Sequence, residues 1–285
     1  MRYEAPETID KAVKLLKGRG LRRVLAGGTD LLVQLKSGMV EPDIVVDVKR
    51  IPEMREITAE GGGFRIGAAV PCAMLGEHDG LRRLWPGVVE AATLIGSTQI
   101  QGRATIAGNL CNASPAADSV AAMIAAGAIA TVAGPKGRRE LPVEAVVTAP
   151  GRTALAKGEL IVSIFLPARP PRSGDAYLRF IPRSEMDIAV VGAGVSLTLG
   201  EDGRCTAARV ALGAVAPRPL LVEEAAQALI GTTVDGAALD ALAAAASAAC
   251  RPIDDKRGTK EFRIEIAGVL ARRAALKALE RARSN

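Results

Sequence analysis

A pair of glycines near the start of the chain, Gly27-Gly28, constrains the fold more than any other feature of the sequence. The pair follows the apolar segment 21–26, which is predicted to be a short strand, and precedes a predicted helical turn over 31–36. At such a junction glycine lets backbone amides approach a ligand closely, because no Cβ stands in the way and positive φ costs little. This arrangement predicts a small α/β unit whose loop, with Thr29 and Asp30, could receive a phosphate group.

Apolar periodicity around this loop defines a first region, residues 1–53. The apolar residues between Ile9 and Leu16 recur at helical spacing, and residues 42–48 predict a second buried strand. From residue 54 the pattern changes to alternation on either side of a glycine turn at 61–63, which predicts a hairpin. The hairpin starts a second region, residues 54–172.

A proline-rich run at 167–174 predicts a linker between the second region and a third, residues 173–285. Strand patterns followed by helical patterns in the third region are typical of α+β packing. The other predicted elements are helices near 71–78, 86–95 and 119–126 and strands near 128–133 and 159–166, then strands near 176–181, 188–199 and 207–215 and helices near 222–230, 237–250 and 260–282.

A second glycine-centred segment, Thr105-Ile106-Ala107-Gly108-Asn109, opens a predicted loop that runs to Asp118. Two such loops, one in each of the first two regions, could supply two sets of N–H donors to the doubly charged pyrophosphate of a dinucleotide. Thr29, Thr105 and Asn109 would add side-chain donors, while Asp30 and Asp118 could accept from ribose or cap the following segments. Taken alone, Gly-Gly-Thr-Asp after a strand is more often an ordinary turn.

The composition argues against several classes of protein. Hydrophobic residues make up 49% and charged residues 24%, and no apolar run reaches the roughly 18–20 residues that span a bilayer. The N-terminus shows no basic segment followed by an apolar stretch, so no signal peptide is expected and the predicted location is cytoplasmic. The net charge of +6 is spread in short patches and aromatic residues make up only 2%, which argues against binding of nucleic acid.

Several other residues have a structural interpretation. The cysteines at 72, 111, 205 and 250 lack C-x-x-C spacing, so no metal site is expected and four buried free thiols are predicted. Residues 191–197 begin like a dinucleotide motif, but Leu197 replaces the third glycine and a strand with small residues is predicted. His78, the only histidine, is expected at the surface or in packing. The cluster 254–257 is predicted to cap the last helix, with an interface role as the alternative.

The combined pattern is more specific than either glycine segment. Residues 24–31, read together with 101–118, resemble the FAD-binding medium subunits of the xanthine dehydrogenase and aerobic carbon monoxide dehydrogenase type. The resemblance continues in the blocks 151–155, 158–161, 177–180, 183–189, 213–217 and 253–258. It implies an α+β chain: an FAD-binding region of two α/β subdomains, in the fold shared with vanillyl-alcohol-oxidase/PCMH-like flavoproteins, followed by a C-terminal domain of antiparallel strands and helices.

The resemblance also implies a set of cofactor-binding residues. They are Val24, Leu25, Ala26, Gly27, Gly28, Thr29 and Asp30 on the ADP side of FAD, then Thr105, Ala107, Gly108, Asn109, Cys111 and Asp118 on the other side, with Ile95, Ile161 and Arg179 near the flavin ring. The cation of Arg179 would favour the anionic reduced flavin. Ala107 is a departure, since the family usually has glycine there. If that position needs positive φ, alanine costs roughly 1 kcal/mol or more.

The implied function is that of an oxidoreductase subunit. A molybdenum-cofactor large subunit would oxidise the substrate, a [2Fe-2S] small subunit would pass single electrons, and this chain would carry them on FAD to an acceptor such as NAD or a quinone. The expected complex is a heterotrimer that dimerises. A stand-alone flavin oxidoreductase would need acid–base residues that the sequence does not supply, and the intact glycines argue against a flavin-free assembly scaffold. The substrate and the final acceptor remain open.

Overall fold

Alternating and helical apolar periodicities divide the chain into strands and helices. The structure, a computed structural model, describes all residues from 1 to 285. The strands are β1 (Arg2–Glu4), β2 (Arg22–Leu25), β3 (Ile44–Asp47), β4 (Ile57–Glu60), β5 (Gly63–Gly67), β6 (Ile129–Gly134), β7 (Gly137–Pro142), β8 (Val147–Ala149), β9 (Arg152–Thr153), β10 (Leu160–Leu166), β11 (Ser173–Phe180), β12 (Val191–Leu199), β13 (Cys205–Gly213) and β14 (Leu220–Leu221).

Eleven α-helices connect or cover these strands. They are α1 (Ile9–Lys17), α2 (Leu31–Lys36), α3 (Cys72–Glu77), α4 (Asp79–Leu84), α5 (Pro86–Ala92), α6 (Thr98–Gln101), α7 (Ile106–Asn112), α8 (Asp118–Ala125), α9 (Glu223–Gln227), α10 (Gly236–Ala249) and α11 (Lys260–Ser284). Short 3-10 turns occupy Val48–Arg50, Pro52–Arg55 and Val143–Ala145. None of the helices combines the length and the hydropathy needed to cross a bilayer.

The first region contains a three-stranded parallel sheet in the order β1-β3-β2. Every residue of the central strand β3 is buried: the apolar run 44–46 predicts this, and the strand ends on the buried Asp47. Helix α1 begins after Thr8, whose hydroxyl accepts from the backbone N–H of Lys11, and it buries the face that carries Ile9 and Leu16. The predicted helix and both predicted strands are confirmed here. The parallel sheet leaves the loop after β2 at the carboxyl edge of the strands.

The second region contains a five-stranded antiparallel sheet in the order β4-β5-β10-β6-β7. The predicted hairpin is confirmed as β4–β5, and its turn places Gly61 and Gly62 at positive φ, where glycine carries no Cβ penalty. Strand β10 at the centre of the sheet packs against α7. The sheet therefore supports the helix that carries the second glycine segment.

The third region contains the antiparallel sheet β11-β12-β13-β14, on which α11 and α9 pack, and α10 packs in turn against these two helices. Gly174 of β11 lets α11 approach very closely, since a methyl group there would lie 2.0 Å from the carbonyl oxygen of Ala278. Buried alanines along α11, including Ala271 and Ala275, keep the helix–sheet distance short. The predicted order of strands followed by helices is confirmed.

Two hydrophobic clusters form the core. The larger fills the first two regions but also includes Tyr177 of β11 and Ala211 of β13, while the smaller lies between the third sheet and its helices. Helix α8 packs against β12 and β13 and so joins the second region to the third. The domain boundaries after residues 53 and 172 stay predictions.

Some elements differ from the sequence-based expectation. The predicted loop 105–118 contains the whole of α7 and the first residue of α8. The loop prediction is wrong there because Gly108 and Asn109 weaken the helical pattern, while the Thr105 cap and the buried apolar face of α7 outweigh that weakness. Helix α4 and strand β7 were not predicted. Strand β7 is almost entirely exposed and polar, so it has no apolar alternation to reveal it.

Candidate functional site

The two glycine segments meet in the folded chain. The backbone of Gly27 lies so close to Arg103 that a methyl group on Gly27 would be 2.0 Å from the Arg103 carbonyl oxygen. Any side chain at Gly27 would push the two segments apart. Gly28 is needed for a different reason, because its φ of +81° lies in the left-handed region. Arg103 directly precedes the residues that lead into α7, so packing joins the loop after β2 to the start of the second segment.

Hydrogen bonds from neighbouring elements hold the first loop in place. The Lys49 ammonium donates to the carbonyl oxygen of Ala26 at 3.0 Å and forms an ion pair with Asp47 at 2.8 Å. The Tyr3 hydroxyl donates to the same carboxylate at 2.5 Å. The sequence pattern does not single out Lys49, because the contact depends on the parallel pairing of β2 with β3 and not on a local motif.

Helix α7 presents the second glycine segment. Its first turn is capped by Thr105, whose hydroxyl accepts from the backbone N–H of Gly108 at 2.9 Å. Ala107 lies inside the helix and is not among the residues with positive φ, so the condition under which alanine would be strained is not met. The left-handed residue of this segment is Ala113, with a φ of 53°, at the C-terminal end of the helix. The departure at Ala107 therefore leaves the backbone unstrained.

The expectation that all four thiols are buried is wrong for Cys111, which is exposed. The buried face of α7 carries Ile106, Ala107 and Leu110. Cys111 follows Leu110 by one residue, and one residue turns a helix by about 100°, which places this side chain off the buried face. The other three cysteines are buried as predicted.

Side-chain amides connect α7 to its neighbours. Asn112 accepts through Oδ1 from Gln34 Nε2 at 3.2 Å, which joins α7 to α2. Asn109 accepts through Oδ1 from the backbone N–H of Ser119 at 3.2 Å and from its hydroxyl at 2.7 Å, which joins α7 to α8. Both of these bonds use the oxygen of Asn109, so its Nδ2 group is left as a donor for a ligand.

Asp118, the first residue of α8, is buried between two donors from β11. The Arg179 guanidinium donates to Oδ2 at 2.8 Å, and the Tyr177 hydroxyl donates to Oδ1 at 3.0 Å. Burial raises the pKa of Asp118 to about 6, against the opposing effects of the Arg179 cation and of both hydrogen bonds. A carboxylate offers about four acceptor positions, so about two remain for a ligand. The predicted cation at Arg179 is partly neutralised by this carboxylate.

The other predicted site residues lie around these contacts. Leu25 and Ile161 are both buried, Ile161 within the larger hydrophobic cluster, and Ile95 is half-buried in the connection between α5 and α6. Val24 and Asp30 are exposed. Because Ile161 is buried in the core, it has a packing role in β10. Its contact with a flavin ring stays a prediction.

The predicted strand with small residues is confirmed as β12. Its glycines serve packing: a methyl group on Gly192 would lie 2.5 Å from the Tyr177 Oη, and one on Gly194 would lie 2.8 Å from the carbonyl oxygen of Ala121 in α8. These two glycines let Tyr177 and α8 approach the sheet. The segment is therefore part of the support for Asp118 and not a phosphate-binding loop.

Two further sequence-based interpretations are confirmed. His78 accepts through Nδ1 from the backbone N–H of Leu81 at 3.1 Å and caps α4, which is a packing role. Asp254 accepts from the backbone N–H of Lys260 at 2.7 Å, so the acidic-basic cluster does hold the start of α11.

Comparison with known proteins identifies the family. The family described as "FAD binding domain in molybdopterin dehydrogenase" matches residues 1–169, and the one described as "CO dehydrogenase flavoprotein C-terminal domain" matches residues 176–278. The chain therefore belongs to the family of FAD-binding subunits of molybdopterin dehydrogenases. It is an FAD-binding oxidoreductase subunit, as the resemblance implied.

Individual relatives match over nearly the full chain. The carbon monoxide dehydrogenase medium chain of Afipia carboxidovorans is 36% identical, over 99% of this chain and 98% of the relative. A putative xanthine dehydrogenase FAD-binding subunit of Escherichia coli is 30% identical, over 97% and 95%. A solved structure of reconstituted CO dehydrogenase from Oligotropha carboxidovorans superposes with a TM-score of 0.94, at 36% identity and 99% and 98% coverage. The expected α+β fold, an FAD-binding region followed by a C-terminal domain, is confirmed.

Proposed function

We propose that this chain carries FAD between a [2Fe-2S] subunit and an electron acceptor in a molybdenum hydroxylase complex. The observation that carries the proposal is the packing of Gly27 against Arg103, which brings both glycine segments to one place. Two sets of backbone amides that meet there suit the two phosphates of a dinucleotide. The match to carbon monoxide and xanthine dehydrogenase subunits supports the same cofactor.

The residues that would hold the cofactor differ in the chemistry they offer. The loop 26–30 offers backbone N–H groups without an obstructing Cβ at Gly27 and Gly28. Asn109 offers its Nδ2 donor, and Asp118 offers its remaining acceptor positions to hydroxyl groups. When bound, the flavin supplies a carrier that accepts electrons singly or in pairs, so this chain needs no general base of its own.

The partners follow from the same family relationship. We infer a large subunit that holds the molybdenum cofactor and a small subunit that holds [2Fe-2S] clusters, in a heterotrimer that dimerises. Another solved structure that matches this chain, at 36% identity, is described as a Cu,Mo-CO dehydrogenase, which supports a molybdenum partner here. The acceptor, such as NAD or a quinone, and the cytoplasmic location are parts of this proposal.

The test is the affinity of the purified chain, or of its complex, for FAD. Gly27→Ala places a methyl group against the Arg103 carbonyl, so we expect FAD affinity to fall about tenfold or more, which corresponds to about 1.4 kcal/mol or more. Gly102→Ala is the matched control, because a methyl group there meets only an ordinary contact at 3.6 Å from the Gln99 carbonyl oxygen. Titration with FAD, followed by quenching of the flavin fluorescence, measures both.

Two results would contradict the proposal. A folded wild-type chain that never takes up FAD, alone or in its complex, would leave only an assembly role. A native complex that contains this chain with FAD but without iron–sulfur and molybdenum subunits would favour a stand-alone flavin oxidoreductase. Mass spectrometry of the native complex and its metal content distinguish these cases.

A further inference from the structure

Tyr177 is a polar residue placed deep in the protein. It is 3% exposed and belongs to the larger hydrophobic cluster, where a phenylalanine would meet the same packing requirement. Its hydroxyl donates to Asp118 Oδ1 at 3.0 Å. A buried hydroxyl costs free energy unless it is hydrogen-bonded, so this contact has a role beyond filling space.

The backbone around Tyr177 is built to accept the hydroxyl group. Gly192 lies on the neighbouring strand β12, and a methyl group there would be 2.5 Å from the Tyr177 Oη. The same glycine pairs with Arg179 across the sheet, so both donors to Asp118 lie beside it. The sheet thus leaves one place for the hydroxyl and directs it toward the Asp118 carboxylate.

The electrostatic surroundings of Asp118 are simple. Burial raises the pKa of Tyr177 well above its ordinary value, so the phenol remains a hydrogen-bond donor throughout the working pH range. Among the elements that pack against α8, strand β12 carries no acidic or basic side chain. The only titratable side chain of α7 is the exposed thiol of Cys111. Arg209 of β13 pairs with Glu144 at 2.8 Å at the far end of α8, where it donates to the carbonyl oxygen of Ile124.

Glu90 of α5 is also turned away from Asp118, since it pairs with Lys277 and Arg281 of α11. Two side chains therefore control the carboxylate, and both come from β11. Arg179 supplies a cation at 2.8 Å, and Tyr177 supplies a neutral donor at 3.0 Å. A donor to the charged form of a carboxylate favours ionisation.

We propose that Tyr177 is a positioning residue for FAD binding, because its hydroxyl keeps the Asp118 carboxylate ionised and fixed in the orientation that accepts from the cofactor. This inference rests on the proposed function and adds a pH dependence to it. Protonation of Asp118 removes an acceptor, so FAD affinity should fall as the pH drops through the region near 6, where Asp118 titrates.

Tyr177→Phe removes one oxygen atom and keeps the ring. We expect the FAD affinity of this variant to be about tenfold weaker at neutral pH, since a hydrogen bond to a charged group is lost. The midpoint of the pH dependence should also move to higher pH, because the carboxylate has lost a donor that favours ionisation. FAD titrations of the apoprotein between about pH 5 and pH 8 give both quantities without any assay of electron transfer.

Gly192→Ala is a second variant that keeps the tyrosine and displaces its hydroxyl, and it should move the midpoint in the same direction. Ser173→Ala is the control: it removes the 2.8 Å hydrogen bond between the Ser173 and Thr198 hydroxyls on the same two strands, away from Asp118, so the midpoint should not move. Asp118→Asn should abolish the pH dependence.

The outcomes separate this inference from the proposed function. If the wild type binds FAD and both Tyr177→Phe and Gly192→Ala keep the wild-type midpoint, Tyr177 does not position Asp118, although FAD binding stands. If a folded wild type binds no FAD at any pH, the proposed function fails and the inference fails with it. A shift in Tyr177→Phe that persists in combination with Asp118→Asn would place the effect on another group and overturn the inference.

Discussion

Strand β11 contributes one residue to each of two buried aspartate–arginine pairs, which have similar geometry but different roles. Near the end of the strand, Arg179 donates to Asp118 at 2.8 Å. Near its start, Asp175 accepts from Arg169 at 2.7 Å. Burial raises the pKa of each aspartate to about 6, and the arginine beside it opposes the rise. By charge and burial alone the two pairs cannot be told apart.

The difference between the pairs lies in what each one connects. Asp118 is followed by Ser119, which binds Asn109 of the second glycine segment. Asp175 instead accepts from the backbone N–H of Gly87 at 2.8 Å, at the start of α5. A shifted pKa therefore marks a functional site only together with its neighbours, because structural ion pairs shift pKa values as well.

The structural pair belongs to a junction of α5, β11 and α11. The Arg169 guanidinium stacks over the Trp85 ring at 4.6 Å from its centroid. Arg281 of α11 donates to the Asp175 carbonyl oxygen at 2.7 Å and pairs with Glu90 of α5 at 2.5 Å. This junction fixes the third region on the second without touching either glycine segment.

The largest expected effect is the loss of stability on breaking the structural pair. Arg169→Met removes both the cation beside the buried Asp175 carboxylate and the stacking on Trp85, and it leaves the Gly87 N–H as the remaining donor, which should cost about 3–5 kcal/mol in the free energy of unfolding. FAD affinity of the folded protein should stay within about twofold, since the pair lies away from the loops. Denaturant unfolding and FAD titration measure the two effects. Arg138→Met, which breaks an exposed pair with Glu53, is the control and should cost less than about 1 kcal/mol.

The corresponding change at the other pair should have a smaller effect on stability and a larger one on the cofactor. Arg179→Met leaves Asp118 with the Tyr177 hydroxyl as a partner, so we expect a loss of about 2 kcal/mol in the free energy of unfolding. FAD affinity should fall about tenfold, because the uncompensated carboxylate is protonated more readily. Equal losses of FAD affinity in Arg169→Met and Arg179→Met would remove the distinction between the two pairs.

The smallest expected effect is a shift of the pH of maximum stability in the apoprotein. Asp118 and Asp175 have raised pKa values, so their contribution to stability is complete below about pH 4 and is lost as the pH rises through about 6. Carboxylates with lowered pKa values, such as Glu90, have the opposite effect, because the stability that they contribute to the fold is lost as the pH falls. We therefore expect maximum stability at about pH 4 to 5, below the pH region near 6 in which FAD affinity falls.

Thermal unfolding of the apoprotein as a function of pH checks this expectation. Asp175→Asn should flatten the decline in stability between about pH 4 and pH 6 without changing the pH dependence of FAD affinity. A decline that is unchanged in Asp175→Asn and in Asp118→Asn would mean that neither aspartate titrates as its burial implies.

Local patterns made much of this architecture predictable. The helix from Ile9 to Lys17, the buried strand β3 and the hairpin β4–β5 each follow from apolar periodicity and turn residues within a short window. The glycine segments were also recognisable, since the glycines that leave a loop without Cβ atoms can be read directly from the sequence. The resemblance to a family supplied the cofactor, which periodicity cannot supply.

The contacts that complete the site were not predictable, because they join residues that are distant in the chain. Gln34 and Asn112 are 78 residues apart, and Asp118 and Tyr177 are 59 apart. Helix α7 was missed for a local reason, since glycine and asparagine have low helix propensity and tertiary packing overrides it. The exposure of Cys111 depends on that same helix, so one error in the element produced the other.

The contact between α5 and α11 also bears on the order in which the molecule folds. Glu90 and Lys277 are 187 residues apart, and contacts of such long range form slowly because a large loop must close before they contribute. Helix α5 leads directly into the segment that carries Ile95 and then the second glycine segment. Because the contact between α5 and α11 forms late, we expect refolding to show an early phase in the local sheets and a later phase in which this contact and the capacity to bind FAD appear.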